Sequence, residues 1–578
     1  MRAAAGGRRS YGAIAFHDAR VFWAGVLAVS AGVILHLPMY FGASDMHYRL
    51  EGMAVTGEMY VGMALIIVGI AACVYGVLPR RAADEHVSRL RVKALDDAPI
   101  RWSHIALLAV LAVAVTIDVM KPVTLGFVVP GFGKEYGLKS PLNPHAHTPS
   151  ALLPLAGITG TVIGSFIWGW LGDRIGRRAS ILLAGVLFVA TSICGSMPSY
   201  EWNLFMCFMM GLGVGGMLPI TFALLAETIP ARHRGWLMVL IGGDVAGAYL
   251  ITSWLSSSLT PDYGWRILWL IGLPTGLLLI LMNRWIPESP RFLLAHGRER
   301  EATAVMRRYG AEVIPEEESE LSVEEGVRSR WGQLLRPPFV GLTLVIALFG
   351  LAVGLVTFGF QLWIPTNLQK LGFNEVTSDK ILRDSSLIGF PATFLVAWLY
   401  GFWSSKKTLV LLGVLTAVAL VGFVIAGDSV AHHRALLYAL LVIPITGISS
   451  ILAVLIAYSS EVYPTKVRSR ATGWAAAASK AGGVLVIAIV AGSLAIPSIS
   501  TTALIGAIPM AIAALAVAFV GVETRRRRLE EITAEELVGV PIPAMAGVPA
   551  ASGGVASAFP AERLLVEPPD GDRHTDRL

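Results

Sequence analysis

The sequence predicts an all-α polytopic membrane protein of about fourteen spanning helices, two six-helix bundles preceded by two extra N-terminal transmembrane helices. Three observations predict it. The chain is 55% hydrophobic and only 15% charged, with a mean hydropathy of +0.65. Apolar runs recur along most of its 578 residues. A polar stretch over 288–338 then separates six runs from six more. A soluble helix keeps a polar face, whereas these runs are apolar around their whole circumference. At 1.5 Å per residue, about 20 residues cross roughly 30 Å of hydrocarbon.

The first two runs, 21–42 and 57–78, precede the part of the chain that carries motifs. The first is too long for the apolar region of a signal peptide and lacks a small-residue cleavage site, so it reads as a span. Six runs follow at 103–128, 151–171, 179–197, 202–225, 236–257 and 265–285. The last six lie at 340–363, 384–403, 408–427, 435–458, 472–494 and 501–522. The domain plan is therefore a terminus (1–20), two extra helices with a connector (21–101), a first bundle (102–287), a linker (288–338), a second bundle (339–522) and a tail (523–578). The linker mixes both signs of charge at helical spacing, as surface helices do. From about 533 the tail is rich in Pro, Ala and Gly and reads as disordered.

A net charge of +6 and a pI near 9.2 raise the question of nucleic acid. The basic residues, however, sit in alternate loops and not on one folded face, so no nucleic acid is expected and the charge reports orientation. Arg8, Arg9, Arg80, Arg81, Arg89, Arg91, Lys93, Arg174, Arg177, Arg178, Arg232, Arg234, Lys406, Lys407, Lys466, Arg468, Arg470 and Arg525 to Arg528 all fall on one side if every run spans. The positive-inside rule makes that side the cytoplasm and puts both termini there. Cys73, Cys194 and Cys207 lie inside apolar runs and read as small packing residues, with no disulfide framework.

A weak internal repeat supports two related halves. The fourth core span leads into Glu227, Pro230, Arg232 and Arg234, and its counterpart leads into Glu461, Pro464, Lys466, Arg468 and Arg470. The loop GWLGDRIGRR, from Gly169 to Arg178, has its counterpart in Gly401 to Lys407, which has lost the Asp. Together with PESPRFL from Pro287 and the stretch from Glu523 through Ile532, these loops resemble the major facilitator superfamily. Within it they are similar to the sugar-porter and organic-ion/metabolite:H+ symporter branch, over residues 102–532. The resemblance implies two bundles around a central cavity that opens to each side in turn.

It also implies a cytoplasmic gate of Gly169, Asp173, Arg174, Gly176, Arg177, Arg178, Glu227, Arg234, Glu288, Arg291, Glu461, Arg468 and Arg470. In that gate Asp173 would pair with Arg234 or the neighbouring bundle, Glu227 with Arg177 or Arg178, and Glu461 with Arg468 or Arg470. Surface pairs contribute about 0–1 kcal/mol each, so several of them bias a gate that must still open every cycle. Simple anchoring of topology by the basic loops is the plainer explanation for Arg177, Arg178 and Lys466.

Charges within spans cost about 2.5–3.5 kcal/mol on insertion scales and usually line a cavity. Asp118 and Lys121 share one face of the first core span, Asp244 lies in the fifth, and Lys480 lies in the eleventh. Asp244 and Lys480, opposite in sign in pseudo-equivalent helices, read as partners across the cavity. Lys480 is the expected substrate anchor, because related organic-anion symporters place a cation in that helix; a Lys is a point charge where they usually carry Arg. Asp118 or Asp244 would carry the proton, since a carboxyl in a cavity that faces each side in turn can load on one side and release on the other. Static ion pairs, Asp118 with Lys121 or Asp244 with Lys480, are the alternative. Gln361 and Trp363 in GFQLWIPTNLQ would shape the outer side of the site, with an interfacial belt as the other reading of Trp363. Gly211, Gly213, Gly215 and Gly216 are expected to serve helix packing. His145 and His147 are two ligands without a third, so no metal is expected.

Departures from the family narrow the substrate. The fifth and seventh spans lack the paired glutamines with which sugar porters bind hydroxyls, and GGDVAGA does not match the antiporter motif. The expected function is thus proton-coupled uptake of a small organic acid or similar charged metabolite, with no cofactor beyond the proton gradient, in a bacterial inner membrane. Facilitated or outward transport of another solute, or a non-transporting sensor or scaffold, are the other readings. A membrane-embedded enzyme finds no support, there being no H-E-x-x-H, no G-x-S-x-G and no phosphate-cradling glycine loop. The extra helices, with His36, Pro38 and Glu58, offer a surface for a partner, or lipid-facing padding.

Overall fold

A computed structural model describes residues 14, 16–78, 98–311, 334–337, 339–463, 465–492 and 498–524. Arg8, Arg9, Arg80, Arg81, Arg89, Arg91, Lys93, Arg525 to Arg528 and the tail from 533 lie outside these residues, as do 312–333 of the linker and the side chains of Asp173, Lys466 and Arg468. The described residues form 14 helices long and apolar enough to cross a membrane. The extra pair is α1 (Ala19–Phe41) and α2 (Gly57–Val77). The first half is α3 (Trp102–Glu135), α4 (Leu152–Gly172), α5 (Arg177–Ser196), α6 (Tyr200–Thr228), α7 (Arg232–Tyr263) and α8 (Ile267–Trp285). The second half is α9 (Val340–Lys370), α10 (Glu375–Trp403), α11 (Ser405–His432), α12 (Arg434–Val462), α13 (Arg470–Gly492) and α14 (Ile499–Val520).

α10 and α3 run well past the apolar windows, for the same physical reason. α10 starts at Glu375, not 384, because Ser378, Asp379, Ser385 and Ser386 of its first turns are buried. Asp379 accepts a 2.5 Å hydrogen bond from Ser256 of α7. Ser378, Ser385 and Ser386 donate to carbonyls four residues back, and a polar stripe satisfied inside the fold in these ways is invisible to hydropathy. α3 likewise continues to Glu135, whose carboxylate is held by Arg266 in the loop between α7 and α8.

α1 and α2 pack backbone to backbone. A Cβ at Gly32 would sit 2.6 Å from the Gly62 carbonyl, and one at Gly69 2.7 Å from that of Gly25, the small-residue contact that lets helices approach closely in lipid. The pair lies along α5. The apolar window of α5 is 94% buried, against 44% for its counterpart α11, so the extra helices cover one half only.

Call the end of the bundle that carries residues 174–178, 227–234 and 288–291 the basic end, and the other the far end. At the far end Glu135 accepts from Arg266 Nη2 at 2.7 Å, Trp265 Nε1 at 2.9 Å and the backbone N–H groups of Leu50 and Glu51 at 2.8 and 3.1 Å. The last two come from the loop between α1 and α2. Arg266 also donates to the Met197 carbonyl and the Tyr136 hydroxyl, both at 2.8 Å. Both ionic side chains are almost fully buried (0% and 2% exposed), so each depends on the other for solvation. Removing one partner of such a pair costs about 3–5 kcal/mol. Arg266→Met should therefore lower stability by about that amount in chemical unfolding of the detergent-solubilised protein. Glu135→Gln/Arg266→Met, which retains a neutral acceptor for the loop, should recover most of the loss. A single-variant loss within error of zero would contradict this account of the far end.

Candidate functional site

Between the halves lies a cavity of about 520 Å³. It is walled by α3, α4, α6 and α7 from the first half and α9, α12 and α13 from the second. At the basic end its lining includes Gly169, Gly172, Arg177, Glu227 and Arg291. Nothing lies within 4 Å of a Cβ built on Gly169, so α4 stands clear of the second half there. Toward the far end the lining stops at Gly126, Gln361 and Leu362. There the halves touch, with a Cβ on Gly126 only 3.2 Å from the Leu362 carbonyl. Beyond that point Ser256 bonds Asp379, and Lys134 of α3 meets Glu375 of α10 at 3.5 Å. The cavity is thus open at the basic end and sealed at the far end.

Asp118 sits near the midpoint of α3, fully buried and in the cavity wall. Neither of its carboxylate oxygens has a hydrogen-bond partner among the described residues. Pro122, inside the same helix, has no N–H to give the Asp118 carbonyl, so the backbone at this position lacks its helical bond as well. The cation coupled electrostatically to Asp118 is Lys480. Lys480 reaches from α13 across to the first half, donating to Ser165 Oγ of α4 and, at 3.2 Å, to the Gly215 carbonyl of α6. Ser165 itself donates to the same carbonyl at 2.7 Å. Gly215 is small because α6 and α4 touch here: a Cβ would lie 2.5 Å from the Thr161 carbonyl.

The pairings expected from the sequence are rearranged. Lys121 shares the helix with Asp118 but is buried toward α5 and α8, where its ammonium lies beside Gly272 and Ser192 and outside the cavity lining. Three residues along a helix places two side chains on neighbouring lines, and the helix packing then divides them. Asp244 accepts a short hydrogen bond from Thr116 of α3, so it joins α7 to α3 within the first half instead of facing Lys480. Gln361 does line the cavity, whereas Trp363 is 1% exposed, off the cavity and not at a lipid interface. Ser165, Thr161, Thr357 and Ser449, also in the cavity lining or bonded to Lys480, were not singled out from sequence. Ser165 lies one turn from Gly169, and that spacing is the signal that could have found it.

At the basic end the gate residues are organised around helix starts. Glu288 accepts the backbone N–H groups of Arg177 at 2.7 Å, Arg178 at 3.3 Å and Ser289 at 3.0 Å. It thereby caps α5, whose preceding residue Gly176 has φ +94°, a conformation glycine adopts without strain. Burial raises the Glu288 pKa, and these N–H donors oppose the shift. Arg177 donates to the Gly172 carbonyl at 2.8 Å and meets Glu227 at 3.7 Å, while Ser289 Oγ bonds Glu227. Arg178 bonds Asn283, Arg174 stacks on Trp170 at 4.3 Å, and Arg291 is exposed at the cavity mouth. Arg234 donates to the Ile229 carbonyl at 3.3 Å and lies within electrostatic reach of Glu461 in the other half. Arg470, at the start of α13, is partly buried.

The second half repeats this device. Glu523 accepts from Ser404 Oγ and from Ser405 N–H at 3.0 Å, capping α11 as Glu288 caps α5. Thr524 donates to Glu461 at 2.7 Å, as Ser289 does to Glu227. The sequence carried this signal in the pairs Glu288-Ser289 and Glu523-Thr524, each just after the last span of its half.

Two six-helix halves meeting around a cavity that is open at one end and sealed at the other form the architecture of a membrane transporter. The sequence matches the family model described as "Sugar (and other) transporter" over residues 127–535 and the model "MFS/sugar transport protein" over 17–233. The chain belongs to this transporter family of the major facilitator superfamily. It is 26% identical over 399 residues to the niacin transporter NiaP of Acinetobacter baylyi, covering 68% of this chain and 88% of that one. It is 24% identical over 412 residues to the 4-hydroxybenzoate transporter PcaK of the same organism, covering 69% and 86%. In fold it is similar to the proton:xylose symporter XylE, with a TM-score of 0.58 at 18% identity, over 75% of this chain and 99% of that one.

A Cβ on Gly169 meets nothing in this state, which is open at the basic end, and alternating access would require that end to close. Gly169→Leu should keep wild-type thermal stability in this state yet reduce transport at least tenfold, because closure brings α4 against α13 and close approach tolerates no added bulk. Full transport in this variant would show that the basic end does not close there.

Proposed function

We propose that this chain takes up a small aromatic or similarly flat organic acid together with a proton, by alternating access. The observation that carries this reading is the buried, unpartnered carboxyl of Asp118, within electrostatic reach of Lys480, with both residues in the wall of a cavity open to one side. Ser165 and Gly215 hold two of the three ammonium donors of Lys480, leaving the third for a substrate carboxylate. Asp118 is the proton carrier. With the proton aboard, the pair presents one net positive charge to an anionic solute; without it, the two side chains neutralise each other and the solute is released. The wall also carries the apolar side chains of Val119, Ile158, Met210, Phe358 and Leu452, which suit the face of a ring. The named substrates of the two bacterial relatives, niacin and 4-hydroxybenzoate, are aromatic monocarboxylic acids, which supports the same substrate class here.

The basic end would face the cytoplasm of a bacterial inner membrane, with both termini on that side. The positive-inside distribution supports this, with Arg174, Arg284 and Lys407 at that end stacked on Trp170 at 4.3 Å, Trp285 at 4.2 Å and Trp403 at 6.0 Å. In this orientation the structure corresponds to the inward-open state.

One proton with one monocarboxylate moves no net charge, so uptake of labelled solute driven by a proton gradient in proteoliposomes tests the reading, with nicotinate, 4-hydroxybenzoate, choline and xylose as the panel. Gradient-driven accumulation is expected with the two acids only, and Lys480→Ala should weaken their apparent affinity ~10- to 100-fold, the range for losing a charge-assisted hydrogen bond. Accumulation of choline or xylose alone would overturn the substrate class.

A further inference from the structure

We infer that Asp379 is a second proton site, set in the far gate: its carboxyl takes up a proton from the far side as the two halves seal there, so that acidity on that side favours the state open at the basic end. The inference rests on the alternating-access reading above, since it requires the far end to open.

Asp379 belongs to α10 of the second half and Ser256, its partner, to α7 of the first, so their hydrogen bond spans the seal. Both residues are buried, Asp379 being 3% exposed, and neither is part of the cavity lining. Opening the far end parts these segments and returns the carboxyl to water; sealing takes it out again. A buried carboxyl stays ionised where donors replace its water. Glu135, at the same end, shows what that takes: a guanidinium, an indole and two backbone N–H groups. Asp379 is met, among the described residues, by the Ser256 hydroxyl, which Thr260 Oγ1 shares at 3.3 Å.

No cation makes up the difference. Lys134 of α3 is within electrostatic reach of Asp379 but already meets Glu375, one turn earlier on α10, at 3.5 Å. The other groups that act on Asp379 are Glu375 itself and Tyr249 of α7, whose hydroxyl has no hydrogen-bond partner among the described residues. Elsewhere on the elements packed around it, Asp262, Lys370 and Lys380 are exposed. Arg383 pairs with Asp384 at 2.7 Å, and Tyr438 and Arg434 of α12 cluster with that pair.

Burying a carboxylate against one hydroxyl costs far more than burying the neutral acid. The Ser256 hydroxyl serves either form, donating to the carboxylate or accepting from the acid, so it is the charge and not the geometry that opposes sealing. Protonation favours the sealed far end, and ionisation favours the open one. The proton comes from the far side and returns to it, because Asp379 lies beyond the end of the cavity. Asp379 sets the gate, and Asp118 carries the driving proton.

Labelling of a thiol placed in the cavity tests this. The native Cys73, Cys194 and Cys207 are buried. Ala476 lies in the cavity wall one turn from Lys480 on the basic-end side, so Ala476→Cys reports opening of the basic end. In Ala476→Cys/Asp118→Asn, which lacks the cavity carboxyl, maleimide labelling of the detergent-solubilised protein is compared with that of the unfolded protein at each pH. It should fall at least ~10-fold from acid to alkaline pH, since a buried unpaired charge is opposed by more than that factor. Adding Asp379→Asn, neutral at every pH and still an acceptor for Ser256, should hold labelling at its acid level throughout. Asp379→Ser, neutral and smaller, decides the matter if Asp379→Asn does not fold. Labelling that is constant with pH in the parent, or that falls as steeply in the neutral variant, would overturn the proton site. No solute takes part in this measurement, so that outcome leaves the transport reading intact; failure of transport itself would show separately, as loss of acid accumulation by the wild-type protein.

Discussion

Hydrocarbon solvates no polar group, and the architecture of this protein follows from how that constraint is met. Several buried charges among the described residues have been given a partner from elsewhere in the fold: Glu135 by Arg266, Asp379 by Ser256, Asp244 by Thr116, Lys480 by Ser165 and Gly215. Two charges on α3, Asp118 and Lys121, are left without a hydrogen-bond partner among the described residues. Lys121 lies outside the cavity lining, whereas Asp118 is in the cavity wall where the two halves face each other, on a helix weakened by Pro122.

The two halves solve the problem of helix starts in the same way. A glutamate from just beyond the sixth span of each half, Glu288 or Glu523, folds back to cap the third helix of that half, and the following hydroxyl, Ser289 or Thr524, reaches the glutamate at the end of the fourth. Three helices of each half are thereby tied together at the basic end, which lets each half move as a unit. The extra pair α1 and α2 adds a constraint to the first half alone. It covers α5 and, through Leu50 and Glu51, completes the solvation of Glu135 at the far end. Within the described residues the pair therefore acts on the first half as a structural brace, whatever its outer face meets.

Much of this was legible in the sequence. Helix number followed from run length and hydropathy, and the six-plus-six plan with its basic loops followed from spacing and motif order. What remained hidden was partnership. Asp118 and Lys121, three residues apart, read as a pair, but α3 packs so that one faces the cavity and the other faces α5 and α8. Asp244 read as the partner of Lys480 because pseudo-symmetry placed them in equivalent helices; the rotation of α7 turned it toward Thr116 instead. The first turns of α10 were missed because their serines and Asp379 look like loop until α7 is placed beside them. Periodicity fixes which residues share a line on a helix, and only tertiary packing fixes what that line meets.

The central claim is that Asp118 carries the proton that drives accumulation. The most direct measurement is proton movement across the membrane of proteoliposomes, followed by an internal pH dye, upon addition of nicotinate to wild type and to Asp118→Asn, beside counterflow exchange of labelled nicotinate in the same vesicles. The account predicts that the variant retains exchange, since the cavity and Lys480 remain, but moves no protons and accumulates no solute. Substrate-driven proton movement undiminished in Asp118→Asn would contradict it.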